Sequence, residues 1–252
     1  MRFDSFINEG FVIKDNTVYF DPNVDGYIKT TFGKDKKLTP YKMKIPFGNL
    51  YAVYLRSSGS SEDYNEVIKT IKGQNSKYTM DSESYNKFLK RTALYMSRII
   101  LENEIDTIIL MDSTSKILVE FSIHLNKYLP KYYEMLTYDK GIFKNPNLEE
   151  IIINAERYNL KPETIDSLQK TINRQLKSNY FSIKKFPPHF RKVISNWLKI
   201  EDKLLSKIVE KRICIIDDIV TTGATIKEAS KMLEEAGAED LLGLTLIKGK
   251  HK

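Results

Sequence analysis

The densest group of chemically capable side chains is Asp217-Asp218-Ile219-Val220-Thr221-Thr222-Gly223-Ala224-Thr225. Thr221, Thr222 and Thr225 offer hydroxyl donors to an anion, and Gly223 lets backbone approach it without a Cβ in the way. The two neighbouring carboxylates would repel a phosphate, so they suit neutral hydroxyls or a divalent cation. A ligand that satisfies both ends carries a phosphate and a diol close together, as ribose 5-phosphate does. The plainer reading is an acidic turn followed by a capping cluster of threonines. It explains each feature singly, but not their coincidence.

Positioning such a ligand requires a strand before the segment and a helix after it. Ile213-Cys214-Ile215-Ile216 is an apolar run expected for a strand buried on both faces, and Ile226, Ala229, Met232 and Leu233 repeat at helical spacing, with Gly237 placed as the helix C-cap. Ligands of open α/β sheets bind at the carboxyl edge, where helix N–H groups await an anion. Leu241 to Ile247 supplies a further strand. Upstream, a helix is expected from Asp81 to about Asn103, followed by a strand at Thr107-Ile108-Ile109-Leu110-Met111. The polar stretch Asp112-Ser113-Thr114-Ser115-Lys116 then precedes a helix that Pro130 stops, and Tyr132 to Thr137 reads as the next strand. Strand, helix, strand is a βαβ unit, whose strands must run parallel.

Other phosphate loops fit badly. Gly33-Lys34 and Gly249-Lys250 lack the Ser/Thr and upstream glycine of a P-loop, and no Gly-x-Gly-x-x-Gly occurs.

Four apolar residues, two acids, two spacers and Thr-Thr-Gly-x-Thr is the signature of type I phosphoribosyltransferases, which the sequence resembles at every position from Ile213 to Thr225. The βαβ pattern extends the similarity to roughly Ile105–Tyr138 and Arg212–Ile247. The resemblance implies that Asp217 and Asp218 bind the ribose hydroxyls of phosphoribosyl pyrophosphate, and that Thr221, Thr222, Gly223, Ala224 and Thr225 cradle its 5-phosphate. It implies a pyrophosphate loop at Asp112, Ser113, Thr114, Ser115 and Lys116, although that loop lacks the glycine many relatives have. Lys116 is either a pyrophosphate contact with a catalytic part, beside Asp217 and Asp218, or a plain helix-start lysine. Mg²⁺ is the implied cofactor, carried by the ligand near Asp217 and Asp218, and a homodimer is the implied assembly.

The expected fold class is α/β, a mainly parallel sheet flanked by helices. Residues 1–80 are expected to form a β-rich hood with antiparallel strands, 81–144 and 211–252 the α/β core, and 145–210 a helical insertion. The insertion lies where relatives have a mobile closing loop. Its third helical segment is expected through Val193, Ile194, Trp197 and Leu198. Between Phe181 and Ile200 it carries five basic residues and no acidic one, interleaved with Phe186, Phe190 and Trp197. The aromatics form either the core of a helical hairpin or a stacking surface for a base or single-stranded nucleic acid. Lys184, Lys185, His189 and Arg191 are the candidate loop or acceptor contacts there.

The chain has 252 residues, 40 Lys+Arg against 33 Asp+Glu, a formal charge of +7 and one cysteine. A single cysteine excludes an intramolecular disulfide framework and a multi-cysteine zinc site. No apolar run reaches the roughly 18–20 residues that span a bilayer, and the start lacks a signal-peptide core, so a cytoplasmic protein is expected. The charge suits either a solvated surface or a polyanionic ligand.

The function implied is transfer of ribose 5-phosphate from phosphoribosyl pyrophosphate to a nitrogenous base or amine, as in nucleotide synthesis or salvage. The alternatives are a sensor of phosphoribosyl pyrophosphate or a nucleotide with the same fold, possible nucleic-acid binding included, and another enzyme acting on a ribose-phosphate relative.

Overall fold

The computed structural model describes residues 9–21, 28–30, 41–45, 48–56, 63–111, 116–131, 133–137, 142–144, 146–177, 186, 190, 193–194, 196–221 and 223–249. Asp15 and Asn16 both take positive φ, 47° and 59°, and form the two-residue turn between β1 (Gly10–Lys14) and its antiparallel partner β2 (Thr17–Asp21). Strands β3 (Ile28–Thr30) and β4 (Tyr41–Ile45) both run antiparallel to β5 (Gly48–Arg56). A helix not expected from the sequence, α1 (Asp63–Ile71), follows, with Tyr64, Val67 and Ile71 buried. The short β6 (Thr79–Met80) pairs with β2.

Helix α2 (Ser82–Glu102) has the expected bounds. The Asp81 carboxylate accepts from the Ser84 N–H at 2.7 Å, and Asn103 caps the far end. Then come β7 (Thr107–Leu110), α3 (Ile117–Leu125) and β8 (Glu134–Thr137), the expected βαβ unit, with β7 and β8 parallel.

The 145–210 region carries α4 (Leu148–Arg157) and α5 (Pro162–Lys177), preceded by β9 (Ile142–Lys144). Its expected third helical segment is corrected: Leu198–Ile200 is a strand, β10, paired antiparallel with β9, and a 3-10 turn covers Asp202–Lys207. Trp197, 2% exposed, donates its backbone N–H to Glu228 Oε1 at 2.8 Å. Asn196, with φ 54°, lies outside the right-handed helical region, and β10 begins two residues later. Phe186 and Trp197 are both buried in the core, so neither is a stacking surface for a base.

The chain ends in β11 (Arg212–Val220), α6 (Ala224–Glu235) and β12 (Asp240–Lys248). Gly237 has φ 90°, and the Ala238 and Gly237 N–H groups reach back to Leu233 and Glu234 carbonyls, a Schellman cap as expected.

The main sheet runs β6-β2-β1-β3-β5-β12-β11-β7-β8, with β4 also on β5. The five strands β5, β12, β11, β7 and β8 are mutually parallel. Thus β5, expected only in antiparallel pairing, also runs parallel along β12 and joins the N-terminal strands to the rest. One sheet face packs on α1, α2 and α3 around Phe11, Phe20, Tyr54 and Phe88, and the other on α4, α5 and α6 around Ile151, Ile172, Trp197 and Leu233. This is the α/β class, a parallel-centred sheet with helices on both faces. Among the described residues no helix is long and apolar enough to cross a membrane.

Candidate functional site

Strand β11 is the centre of the parallel set, between β12 and β7. Its residues before the acids alternate faces: Cys214 and Ile216 join one core, Ile213 and Ile215 the other. Beyond the acids the phase changes, with Ile219 on the same core as Cys214 and Val220 on the same core as Ile215. Asp217 and Asp218 therefore sit in the strand itself, where the sequence placed them in a turn. They are 6% and 1% exposed.

The irregularity has a backbone cause. Strand β7 pairs with β11 only as far as Ile216, whose carbonyl also accepts the Met111 N–H at 2.8 Å. Past that point the carboxylates serve the backbone. Asp217 Oδ1 accepts the Asp218 N–H at 2.9 Å, and Asp218 Oδ1 accepts the Ile219 N–H at 2.5 Å. On the β12 side, Thr245, fully buried and in register with Asp217, lies 3.2 Å by its hydroxyl from the Asp218 carbonyl. Asp218 Oδ2 is 2.6 Å from Lys72 Nζ, a side chain 9% exposed at the end of α1.

Gly223 is the N-cap of α6 with φ 76°, a left-handed conformation that glycine adopts without a Cβ penalty. No side-chain cap closes the first turn of α6. Thr221 is exposed, while Ala224 and Thr225 are half-buried. The Thr221 carbonyl accepts from Lys248 Nζ, which also bonds the Gly249 carbonyl at 2.9 Å, and the Gly249 N–H donates to the Val220 carbonyl at 2.8 Å. Burial holds the Lys248 ammonium below the usual lysine pKa. The end of β12 thus clasps the segment that leaves β11.

Lys116 is exposed and caps α3 without a side-chain hydrogen bond. It lines a cleft of about 880 Å³ together with Lys72, Tyr85, Glu120 and His124. Tyr85 donates to Glu120 Oε2 at 2.7 Å across its floor, and burial followed by that carboxylate pushes the phenol pKa up. Burial, then Lys127 and Lys90, lowers the His124 pKa. Thr222, Asp112, Ser113, Thr114, Ser115, Lys184, Lys185, His189 and Arg191 lie outside the described residues.

Sequence reasoning missed Lys72, Thr245 and Lys248. Gly73, next to Lys72 and following an Ile-x-x-Ile pattern, was the one legible sign of a helix end there. Cys214 is buried and inert, its thiol pKa raised by burial alone.

Fold and site together define an α/β protein with an acid pair and a glycine-started helix at the carboxyl edge of its central strand. No protein-family model matches the chain. A 40-residue stretch, 16% of the chain, is 52% identical to competence protein ComFC of Streptococcus pneumoniae and spans 18% of that protein's length. Among solved structures the chain is similar to a purine phosphoribosyltransferase from Pyrococcus horikoshii, at 15% identity over 64% of this chain and 74% of the other, with a TM-score of 0.36. It is also similar to a hypoxanthine phosphoribosyltransferase from Staphylococcus aureus, at 12% identity over 65% and 64% of the two chains, with a TM-score of 0.37.

Proposed function

We propose that the chain is a phosphoribosyltransferase that moves ribose 5-phosphate from phosphoribosyl pyrophosphate to a nitrogenous base or related amine. The observation that carries the reading is the buried acid pair at the end of β11, followed within a few residues by the glycine N-cap of α6. A helix start stabilises the 5-phosphate, and the carboxylates orient the ribose hydroxyls. In the transfer, the acceptor nitrogen's lone pair forms a bond to the anomeric carbon. The carbon–oxygen bond to diphosphate breaks, its electron pair leaves with the diphosphate, and the nitrogen loses a proton to solvent. The sugar passes through oxocarbenium character. Asp217 and Asp218 offset that positive charge and hold the ring in line; no nucleophilic side chain is required. Cytoplasmic action as a homodimer belongs to the same reading.

Mg²⁺ fits this donor set only as a ligand-borne ion. Asp217 and Asp218 are hard carboxylate donors, but their oxygens already serve backbone amides and Lys72, and the described residues contain no cluster of three or more His, Cys, Asp or Glu. When bound with the diphosphate beside Asp217 and Asp218, Mg²⁺ supplies Lewis-acid stabilisation of the leaving charge.

A second reading, a sensor of phosphoribosyl pyrophosphate or a nucleotide, is favoured by the engagement of both Asp218 oxygens within the chain. Pyrophosphate release from phosphoribosyl pyrophosphate and Mg²⁺, with a panel of purines, pyrimidines and amines, separates the two. Release with one acceptor supports the enzyme. Binding without release from any acceptor supports the sensor.

A further inference from the structure

Lys72 is the C-cap of α1, and its backbone is set by a Schellman motif: Gly73 has φ 64°, the Gln74 N–H donates to the Lys69 carbonyl at 2.8 Å, and the Gly73 N–H to the Thr70 carbonyl at 3.0 Å. That placement sends the ammonium 2.6 Å from Asp218 Oδ2, in the acid pair that the proposed function assigns to ribose. A structural strut would end there. Lys72 instead also lines the cleft that contains Lys116, at the start of α3 beyond the end of β7. Because β7 and β11 are adjacent and parallel, Lys116 and Lys72 stand near the carboxyl ends of neighbouring strands. Two cations in one cleft match the two anionic phosphoryl groups of a diphosphate better than a single phosphate. An ammonium has three donors, so a contact to Asp218 and a contact to an anion are compatible.

We infer that Lys72 is a diphosphate-positioning residue: it holds Asp218 while the site is empty and shares its donors between Asp218 and the diphosphate when ligand enters, with Lys116 as the second cation. The inference rests on the reading of Asp217 and Asp218 as the ribose acids. It draws the segment before residue 80 into the site, because Lys72 at the end of α1 reaches the acids of β11.

Calorimetric titration with inorganic pyrophosphate alone tests it on the full chain. Lys72→Met weakens pyrophosphate binding at least about tenfold, and Lys72→Arg keeps it within about threefold. Asp218→Asn, which releases the ammonium, tightens it about threefold. A Lys72→Met chain that melts cooperatively and binds pyrophosphate like the wild type overturns the inference, as does a wild type that does not bind pyrophosphate. Should Lys72→Met not fold, Asp218→Asn decides: unchanged or weaker binding overturns it. Turnover plays no part in this titration. A chain that transfers no phosphoribosyl group yet shows the pattern loses the enzyme reading and keeps the subsite.

Discussion

Lys72 Nζ lies 2.6 Å from Asp218 Oδ2, joining the end of α1 to the middle strand of the parallel set. Both side chains are nearly enclosed, so removing either leaves a buried charge without its counter-ion. Lys72→Met and Asp218→Asn are each expected to lower stability by ~3–5 kcal/mol. The double variant is expected to lose much less than the sum, since neither charge then remains. Urea unfolding of the four proteins measures this; additive losses would deny the pair.

The segment proposed to hold the phosphate depends on β12. Lys248 holds the Thr221 carbonyl, and Gly249 holds the Val220 carbonyl. Hydrogen bonds from charged donors contribute ~1.5–3 kcal/mol. Lys248→Met is therefore expected to speed hydrogen exchange in residues 220–225 by about tenfold or more and to weaken ribose 5-phosphate binding comparably. Exchange mass spectrometry on wild type and variant checks the first, and unchanged exchange would remove Lys248 from the loop's support.

Glu228, on α6, accepts the Trp197 N–H, and burial raises its carboxyl pKa above the ordinary value. The folded state thus binds this proton more tightly than the unfolded state. The group's contribution to stability is present below the unfolded pKa of about 4.5 and is lost as pH rises through the raised folded value. Glu228→Gln keeps an acceptor and removes the titration. The stability difference between variant and wild type is expected to shift in the variant's favour as pH rises from 4 to 7. A difference independent of pH would contradict the burial effect.

Phe88 on α2 meets Phe11, Phe20 and Tyr54 at ring-centroid distances of 5.0, 5.8 and 5.3 Å, and it is fully buried. Phe88→Ala is expected to cost ~3–5 kcal/mol. A loss below ~1 kcal/mol in chemical denaturation would mean that α2 does not anchor the N-terminal strands.

Elements with strong local signals were legible in the sequence: α2 between Asp81 and Asn103, the βαβ unit through β7, α3 and β8, and the Gly237 cap. The candidate ribose and phosphate residues were legible as well, because strand, acids, glycine and helix follow one another without a break. What the sequence hid is nonlocal. Strand β10 is three residues long and pairs with β9 across more than fifty residues, so its aromatic-rich approach reads as helix. The acids looked like turn residues because nothing local shows that β12 continues beside them to Lys248. The Lys72–Asp218 pair joins positions far apart in the chain, and no local pattern announces such a partner.

Recognition of a diol by Asp217 and Asp218 is read by comparing ribose 5-phosphate with 2-deoxyribose 5-phosphate in calorimetric titration. The deoxy sugar is expected to bind at least about tenfold more weakly to the wild type, the loss of a hydrogen bond to a charged acceptor. The Asp217→Asn, Asp218→Asn double variant is expected to lose that discrimination. Equal affinity of the wild type for the two sugars would contradict the assignment of the acid pair.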